Sequence, residues 1–423
     1  MEVTPYRARV RLDTLANMRW STGLALGFLC LLGCKKHNPQ AIAAVANVPD
    51  GPTPTQLARD ARGDQAFAAK LYKAQRLPAT NNLFFSPSTV RVAIGMAYTG
   101  ARGATAEEIA QVLDLDPDRD ATARLFGQVL RDWNRGGSAL RVANRAWGQR
   151  NYKFLPDFLT TLSRDFAAPF GTVDFIADTE GARHTINQWV DLTTEHKIPE
   201  LLKPEVLNAD SRLVLTNALY FKENWASPFD RSQTSDADFH TSSGDVRVPM
   251  MAKVERLPFA RIAGAEVIKL GYASGERSMI VVLPERVDGW ESVEQSLDAA
   301  MLASLIAIET NAERAIYLPR FTLDVATSLK APLNSLGLRA PFDEGRADFS
   351  GMNGDQKLSI SAIAHQAFVS VNEAGTEAAA ATAVVLQDKS EPPAFRADHP
   401  FLFLVCDKVG RVLFMGRVVD PTK

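Results

Sequence analysis

Six histidines, three cysteines and a bare lysine–serine step are the chemically active residues that stand out in this 423-residue chain. His37, His184, His196, His240, His365 and His399 are scattered, and none keeps metal-ligand spacing with another, so each reads as structural. His365 lies in an apolar strand context and reads as a hydrogen-bonded core histidine. There is no G-x-S-x-G elbow, H-E-x-x-H, P-loop or G-x-G-x-x-G, so the common enzyme signatures are missing. What remains is "GTEAAAATAVVLQDKSEPP", Gly375 to Pro393. Alanine favours helix, yet the stretch has no 3.6-residue stripe of larger apolar groups to hold a helix against a core.

Read with period two, the stretch makes sense as a strand. One face carries Thr376, Ala378, Ala380, Thr382, Val384 and Leu386, all small or apolar, while the other carries Glu377 and Gln387. Small uncharged residues suit a strand that must pass through a narrow opening, where bulk would clash and charge would stay unpaired. Gly375 supplies a hinge, and Pro392 and Pro393 limit the strand because neither can donate to a ladder. A helix and an inert linker are the alternatives.

Several elements must position this segment. "DQAFAAKLYKAQR", "SPSTVRVAIGMAYTGARGATAEEIAQVL" and "HTINQWVDLTTEHKIPELL" carry apolar residues at helical spacing. The second begins on a capping serine before Pro87. Gly100 and Gly103 end its first half, and Thr105 with Glu108 reads as a capping box for the next helix. The third is expected to stop near Pro199. "RLVLTNALYF", "EVIKLGY", "SMIVVLP", "RAIYLPRFTLD", "QAFVSVN", "FLFLVCD" and "RVLFMGRVV" read as strands, and "VATSLKAPLNSLGL" as a helix among them. Helices cluster early and strands late, which predicts an α+β architecture.

Composition is that of an ordinary globular protein, 46% hydrophobic and 23% charged. With 47 basic against 49 acidic residues the net charge is -2, which gives no footprint for a general nucleic-acid binder. Arg124, Arg131 and Arg135 read as a solvated helix face. Arg19 precedes "GLALGFLCLLGC", too short to span a bilayer and of signal-peptide length. Its end, Leu31-Leu32-Gly33-Cys34, resembles a bacterial lipobox, which implies a lipid on Cys34; cleavage without lipidation is the alternative. Met18 is a second candidate start. The expected organisation is a signal peptide over 1–34, a tether over 35–56 and one domain over 57–423. The chain is expected to be exported, either anchored at the cell envelope or secreted. With Cys30 removed, Cys34 and Cys406 make no disulfide framework.

The segment "NEAGTEAAAAT", followed by "DHPFLFLV" and "LFMGRVVDP", resembles the reactive-loop end of a serpin. The resemblance continues through "NLFFSPSTVRVAIGMAYTGARGATAEEI", "INQWVDLTTEHKIPELL", "LVLTNALYFKENW", "SMIVVLP", "LPRF" and "ADFSGM", covering roughly Leu57 to Lys423 in order. It implies a large central sheet, two further sheets, eight or nine helices and an exposed reactive-centre loop over about 373–398. It also implies an inhibitor, not an enzyme: a serine protease attacks the loop, and the loop inserts into the central sheet before the acyl-enzyme hydrolyses. Serpin loop insertion is itself a standard example of strand addition.

Spacing from the hinge to "HPF" matches inhibitory members of that family and places the scissile bond at Lys389–Ser390, implying a trypsin-like target. Cleavage after Leu386 or Arg396 is the alternative. The resemblance assigns the hinge to Glu373, Gly375, Thr376, Glu377, Ala378, Ala379, Ala380, Ala381 and Thr382. It assigns control of sheet opening to Ser86, Ser88, Asn217 and His365, with Trp225 near where the loop enters. Departures are mild: His196 stands where glycine is common, Ala374 replaces a charged residue, and Arg320 and Gln366 stand where lysine is common. No cofactor or metal is implied, and the partner is a protease held covalently by a monomer. A noninhibitory binding or chaperone protein on the same fold is the runner-up.

Overall fold

The computed structural model describes residues 51–75, 80–133, 140–166, 168, 170–355, 357–376 and 392–423. Ten α-helices fall among them: α1 Pro54–Gln75, α2 Pro87–Gly100, α3 Gly103–Leu113, α4 Arg119–Trp133, α5 Pro156–Asp165, α6 Thr179–Thr193, α7 Trp290–Ser296, α8 Ala299–Ile306, α9 Lys330–Ser335 and α10 Ser350–Asn353. The strands are β1 Leu83–Phe85, β2 Leu140–Gln149, β3 Gly171–Val173, β4 Leu213–Phe221, β5 Glu223–Asn224, β6 Ser235–Thr241, β7 Gly244–Ile262 and β8 Ala265–Gly271. They continue with β9 Arg277–Pro284, β10 Asn311–Pro319, β11 Phe321–Ser328, β12 Ala362–Asn372, β13 Gly375–Thr376, β14 Ala394–Arg396, β15 Phe401–Asp407 and β16 Val412–Val418.

The central sheet runs β3-β2-β4-β12-β11, with the short β13 and β5 beside the end of β12. The other strands follow the order β1-β16-β15-β9-β8-β7-β10-β14, with β6 beside β7. The 19-residue β7 serves two sheets, pairing first with β6 and β10 and then, over Phe259–Ile262, with β8. The fold is α+β, as the distribution of helices and strands predicts.

Between the sheets lies α2, buried on nearly every face and packed on β2, β4 and β16. Its start follows the sequence: Ser86 accepts the Thr89 N–H and Pro87 occupies the first turn. Phe84 wedges beside it, stacked 5.3 Å from Phe414 and 5.7 Å from Phe403.

Tertiary partners override local signals at several places. Helix α1 starts inside the range read as tether: Thr53 and Gln56 cap each other reciprocally, Thr53 N donating to Gln56 Oε1 at 2.8 Å and Gln56 N to Thr53 Oγ1 at 3.2 Å. The expected capping box at Thr105 does not form. Helix α3 begins two residues earlier, at Gly103, while Thr105 accepts Asp348 N at 2.9 Å and Glu108 accepts the Arg339 and Ala340 amides. Helix α6 stops at Thr193, well before Pro199, because Glu195 and His196 take left-handed angles of 53° and 62°. "RAIYLPRFTLD" is two strands in different sheets, broken after Pro319. The helix expected over "VATSLKAPLNSLGL" shrinks to α9, because Val325–Ser328 extend β11 against β12.

Candidate functional site

The loop leaves the central sheet at the end of β12. After Asn372 the chain turns at Glu373 and Ala374 and returns as β13, antiparallel to β12 in the register Val371↔Thr376 and Asn372↔Gly375. On its other flank β13 pairs with β5, Gly375↔Asn224 and Thr376↔Glu223. Gly375 is required by close approach: a Cβ there would lie 2.1 Å from Glu223 O. Thr376 is fully buried, its Oγ1 3.0 Å from Tyr272 Oη. Tyr272 stacks on Trp225 at 4.7 Å and 13°, and Trp225 donates from Nε1 to Asn372 O and from its backbone N to Ala374 O. The aromatic pair thus clamps both sides of the turn.

Glu373 has a side chain only 2% exposed. Burial alone would raise its pKa, but hydrogen bonds from Arg320 and Thr234 outweigh burial and hold the carboxyl below its usual range. Arg320 Nε donates at 2.7 Å. Because Arg320 sits at the break between β10 and β11, this ion pair ties the loop root to the junction of two sheets.

Below the root, β4 and β12 lie parallel and are paired directly from Ala362↔Val214 to Phe368↔Tyr220. In the middle of that run His365 faces Asn217. Ser86 N donates to His365 Nε2 at 3.1 Å, which places the ring proton on Nδ1, where it meets Asn217 Oδ1. Thr89 Oγ1 lies 3.1 Å from the same oxygen, Asn217 Nδ2 donates to Asn144 Oδ1, and Asn144 Nδ2 donates to Thr89 O at 3.2 Å. Burial pushes the His365 pKa down to about 3, so the ring is neutral. Among the expected residues, Ser86, Asn217 and His365 share this network. Ser88 does not join it; its hydroxyl turns toward α1 and β16, 2.8 Å from Asp64 Oδ2 and 2.7 Å from Val412 O.

A family model described as "Serpin (serine protease inhibitor)" matches residues 62–421. The chain belongs to the serpin family. The leukocyte elastase inhibitor of Xenopus tropicalis is 37% identical over 354 residues, covering 81% of this chain and 94% of that protein. An uncharacterised serpin-like protein of Thermococcus kodakarensis is 35% identical over 365 residues, 84% of each chain. The crystal structure of human thyroxine-binding globulin superposes with a TM-score of 0.80 at 28% identity, covering 87% of this chain and all of that one.

In this serpin Glu377, Ala378, Ala379, Ala380, Ala381, Thr382, Lys389 and Ser390 lie outside the described residues, as does Cys34. Arg396, one alternative cleavage site, lies in β14, paired with Tyr317 of β10. Its guanidinium covers the Tyr317 ring at 3.6 Å, and Ala397 N donates to Tyr317 O, so the Arg396–Ala397 bond is tied into a sheet. Sequence reading did not single out Thr89, Asn144, Tyr272 or Thr234. Each is a polar or aromatic residue without a local pattern to mark it.

Proposed function

We propose that this serpin traps serine endopeptidases of trypsin-like specificity irreversibly, through attack at Lys389–Ser390 and insertion of the loop between β4 and β12. The observation that carries the reading is the register at the loop root. Thr376 is flanked by Val371 and Glu223, 148 positions apart, the same offset that separates Ala362 from Val214 and His365 from Asn217. The strands therefore need only part sideways, without sliding, for the antiparallel ladder started by β13 to continue. Continued by six residues, that ladder sets Thr382 opposite both His365 and Asn217 and takes the place of their hydrogen bond.

Sequence supports the same reading. Thr376 already occupies the buried face, and period two puts Ala378, Ala380, Thr382, Val384 and Leu386 on that face too. An inserted strand from Gly375 to Lys389 spans on the order of 50 Å at 3.3 Å per residue. Its backbone pairing contributes about ten kcal/mol at roughly 1 kcal/mol net per hydrogen bond. Lys389 presents a basic side chain for a carboxylate at the base of a trypsin-like pocket. On this reading the protein is exported, with Cys34 carrying a lipid and the tether holding the inhibitory domain off the membrane; the mass of the mature N-terminus tests that part.

Mixing the protein with excess trypsin and resolving the products on a denaturing gel tests the mechanism. A stable covalent complex with release of a fragment beginning at Ser390 is expected. Cleavage without a complex would instead support a noninhibitory serpin that acts as a binding or chaperone protein.

A further inference from the structure

The contact that draws Ser88 away from the His365 network has a proton-counting problem. Ser88 Oγ stands 2.8 Å from Asp64 Oδ2 and 2.7 Å from Val412 O, yet a hydroxyl carries one hydrogen. With Asp64 ionised, one of these oxygen–oxygen contacts has no proton and sets lone pairs against each other. With Asp64 protonated both are satisfied: the carboxyl donates to Ser88 Oγ, and Ser88 donates to Val412 O. Val412 N also donates to Asp64 Oδ2, at 2.8 Å, closing a three-membered set that joins α1, α2 and the first residue of β16.

Charge balance around the site points the same way. On α1, Asp60 forms ion pairs with Arg91 of α2 and, at 2.8 Å, with Arg411 just before β16. Arg411 also reaches Asp407 at the end of β15, 3.2 Å away. Arg91 completes its shell on the carbonyls of Leu113 and Asp114. Two guanidiniums thus face two carboxylates, with the buried Cys406 thiol as the neighbouring titratable group. An ionised Asp64 would be a third carboxylate beside two guanidiniums already engaged with Asp60 and Asp407, while Lys269, near Cys406, donates to Ile306 O.

We propose that Asp64 is held protonated in the folded serpin, and that its proton completes a latch between α1, α2 and β16 which opens when the proton leaves. Burial, with the nearby Asp60 carboxylate adding to it, outweighs the pull of Arg91 and the hydrogen bonding of Val412 N and Ser88, and pushes the Asp64 pKa up to about 7. The latch pins the helix end whose other side, Ser86 and Thr89, holds His365 and Asn217, so its opening loosens the support of the parting strands.

The sign follows from linkage. Between the ordinary aspartate value near 3.9 and about 7, the folded state keeps a proton that the unfolded state has released. Stability contributed by this group therefore falls as pH rises through that window and is flat above it. Equilibrium urea unfolding of the full-length protein and of Asp64→Asn, from pH 5 to 8.5, reads this directly. The ratio of the wild-type to the variant unfolding constant is expected to rise about tenfold per pH unit between pH 5 and 6.5 and to level off above pH 8. A ratio independent of pH would overturn the proposal. Infrared spectroscopy of the wild-type protein gives a second readout that needs no variant: a protonated-carboxyl band present at pH 6 and lost with a midpoint near 7 is expected. Absence of that band at pH 6 would equally overturn it.

Discussion

Replacing Thr376 by arginine tests whether the root of the loop is the leading end of an inserting strand. Thr376 is fully buried between Val371 and Glu223, its hydroxyl against Tyr272 under the stacked Trp225 ring. Because position 376 is already seated in the uncleaved protein, a guanidinium there, which costs about 3–5 kcal/mol if buried unpaired, should drive β13 out of the sheet in the starting state. That cost must then be met when the strand seats during insertion. If about 2 kcal/mol of this is felt at the barrier to insertion, insertion slows roughly thirty-fold at 1.4 kcal/mol per tenfold. Attack on Lys389–Ser390 is remote from the substitution and keeps its rate. Trapping and hydrolysis compete for the same acyl-enzyme, so the variant should be cleaved as fast as the wild type while the number of inhibitor molecules hydrolysed per protease trapped rises roughly thirty-fold, the stoichiometry of inhibition being one plus that number. Titrating residual trypsin activity against inhibitor concentration, with cleavage followed on a gel, measures both quantities. An unchanged stoichiometry of inhibition would refute the reasoning.

Gly375→Ala places a Cβ against Glu223 O and should unseat β13, lowering the stability of the uncleaved protein by about 1–3 kcal/mol in urea unfolding. His365→Gln removes a ring that stays neutral down to about pH 3 while the unfolded state takes up a proton near 6.5. Since the unfolded state binds more protons in that window, wild-type stability should fall more steeply than that of the variant as pH drops from 6.5 toward 4, as paired unfolding curves will show. Lys389→Leu exchanges a charged for an apolar side chain at the proposed cleavage site. It should lower the rate of trypsin inhibition more than about a hundred-fold while a chymotrypsin-like protease is inhibited faster, measured as second-order inactivation rates.

The fold and the loop were legible in the sequence for different reasons. Helix α2 announced itself by Ser86, Pro87 and an apolar stretch buried on almost all faces. Strands β4, β15 and β16 are largely apolar runs bounded by turn residues, as strands buried on both faces should be, and β12 was legible through the alternation of its second half. By contrast β7 alternates through a long mixed-polarity segment shared by two sheets, and β2 carries Arg141, Asn144 and Arg145, so neither reads as an apolar run. Thr105 and Glu108 fit a capping box by spacing, yet partners more than 200 residues away claim both side chains. The hinge was legible through Gly375 and the small residues after it. The polar contacts that set the register and hold the strands shut were less so, since Asn144, Thr89 and Tyr272 meet their partners only across the assembled sheet.

The central claim is that β4 and β12 part to admit the loop, and the structure of the loop-cleaved protein measures this most directly. In the uncleaved chain Asn217 and His365 are register partners on adjacent strands, one strand spacing of about 4.8 Å apart. After cleavage the account predicts a separation of about 9.6 Å, two strand spacings, with Thr382 between them in the register set by Thr376. Cleaved protein in which Asn217 and His365 remain paired, with the loop outside the sheet, would contradict it.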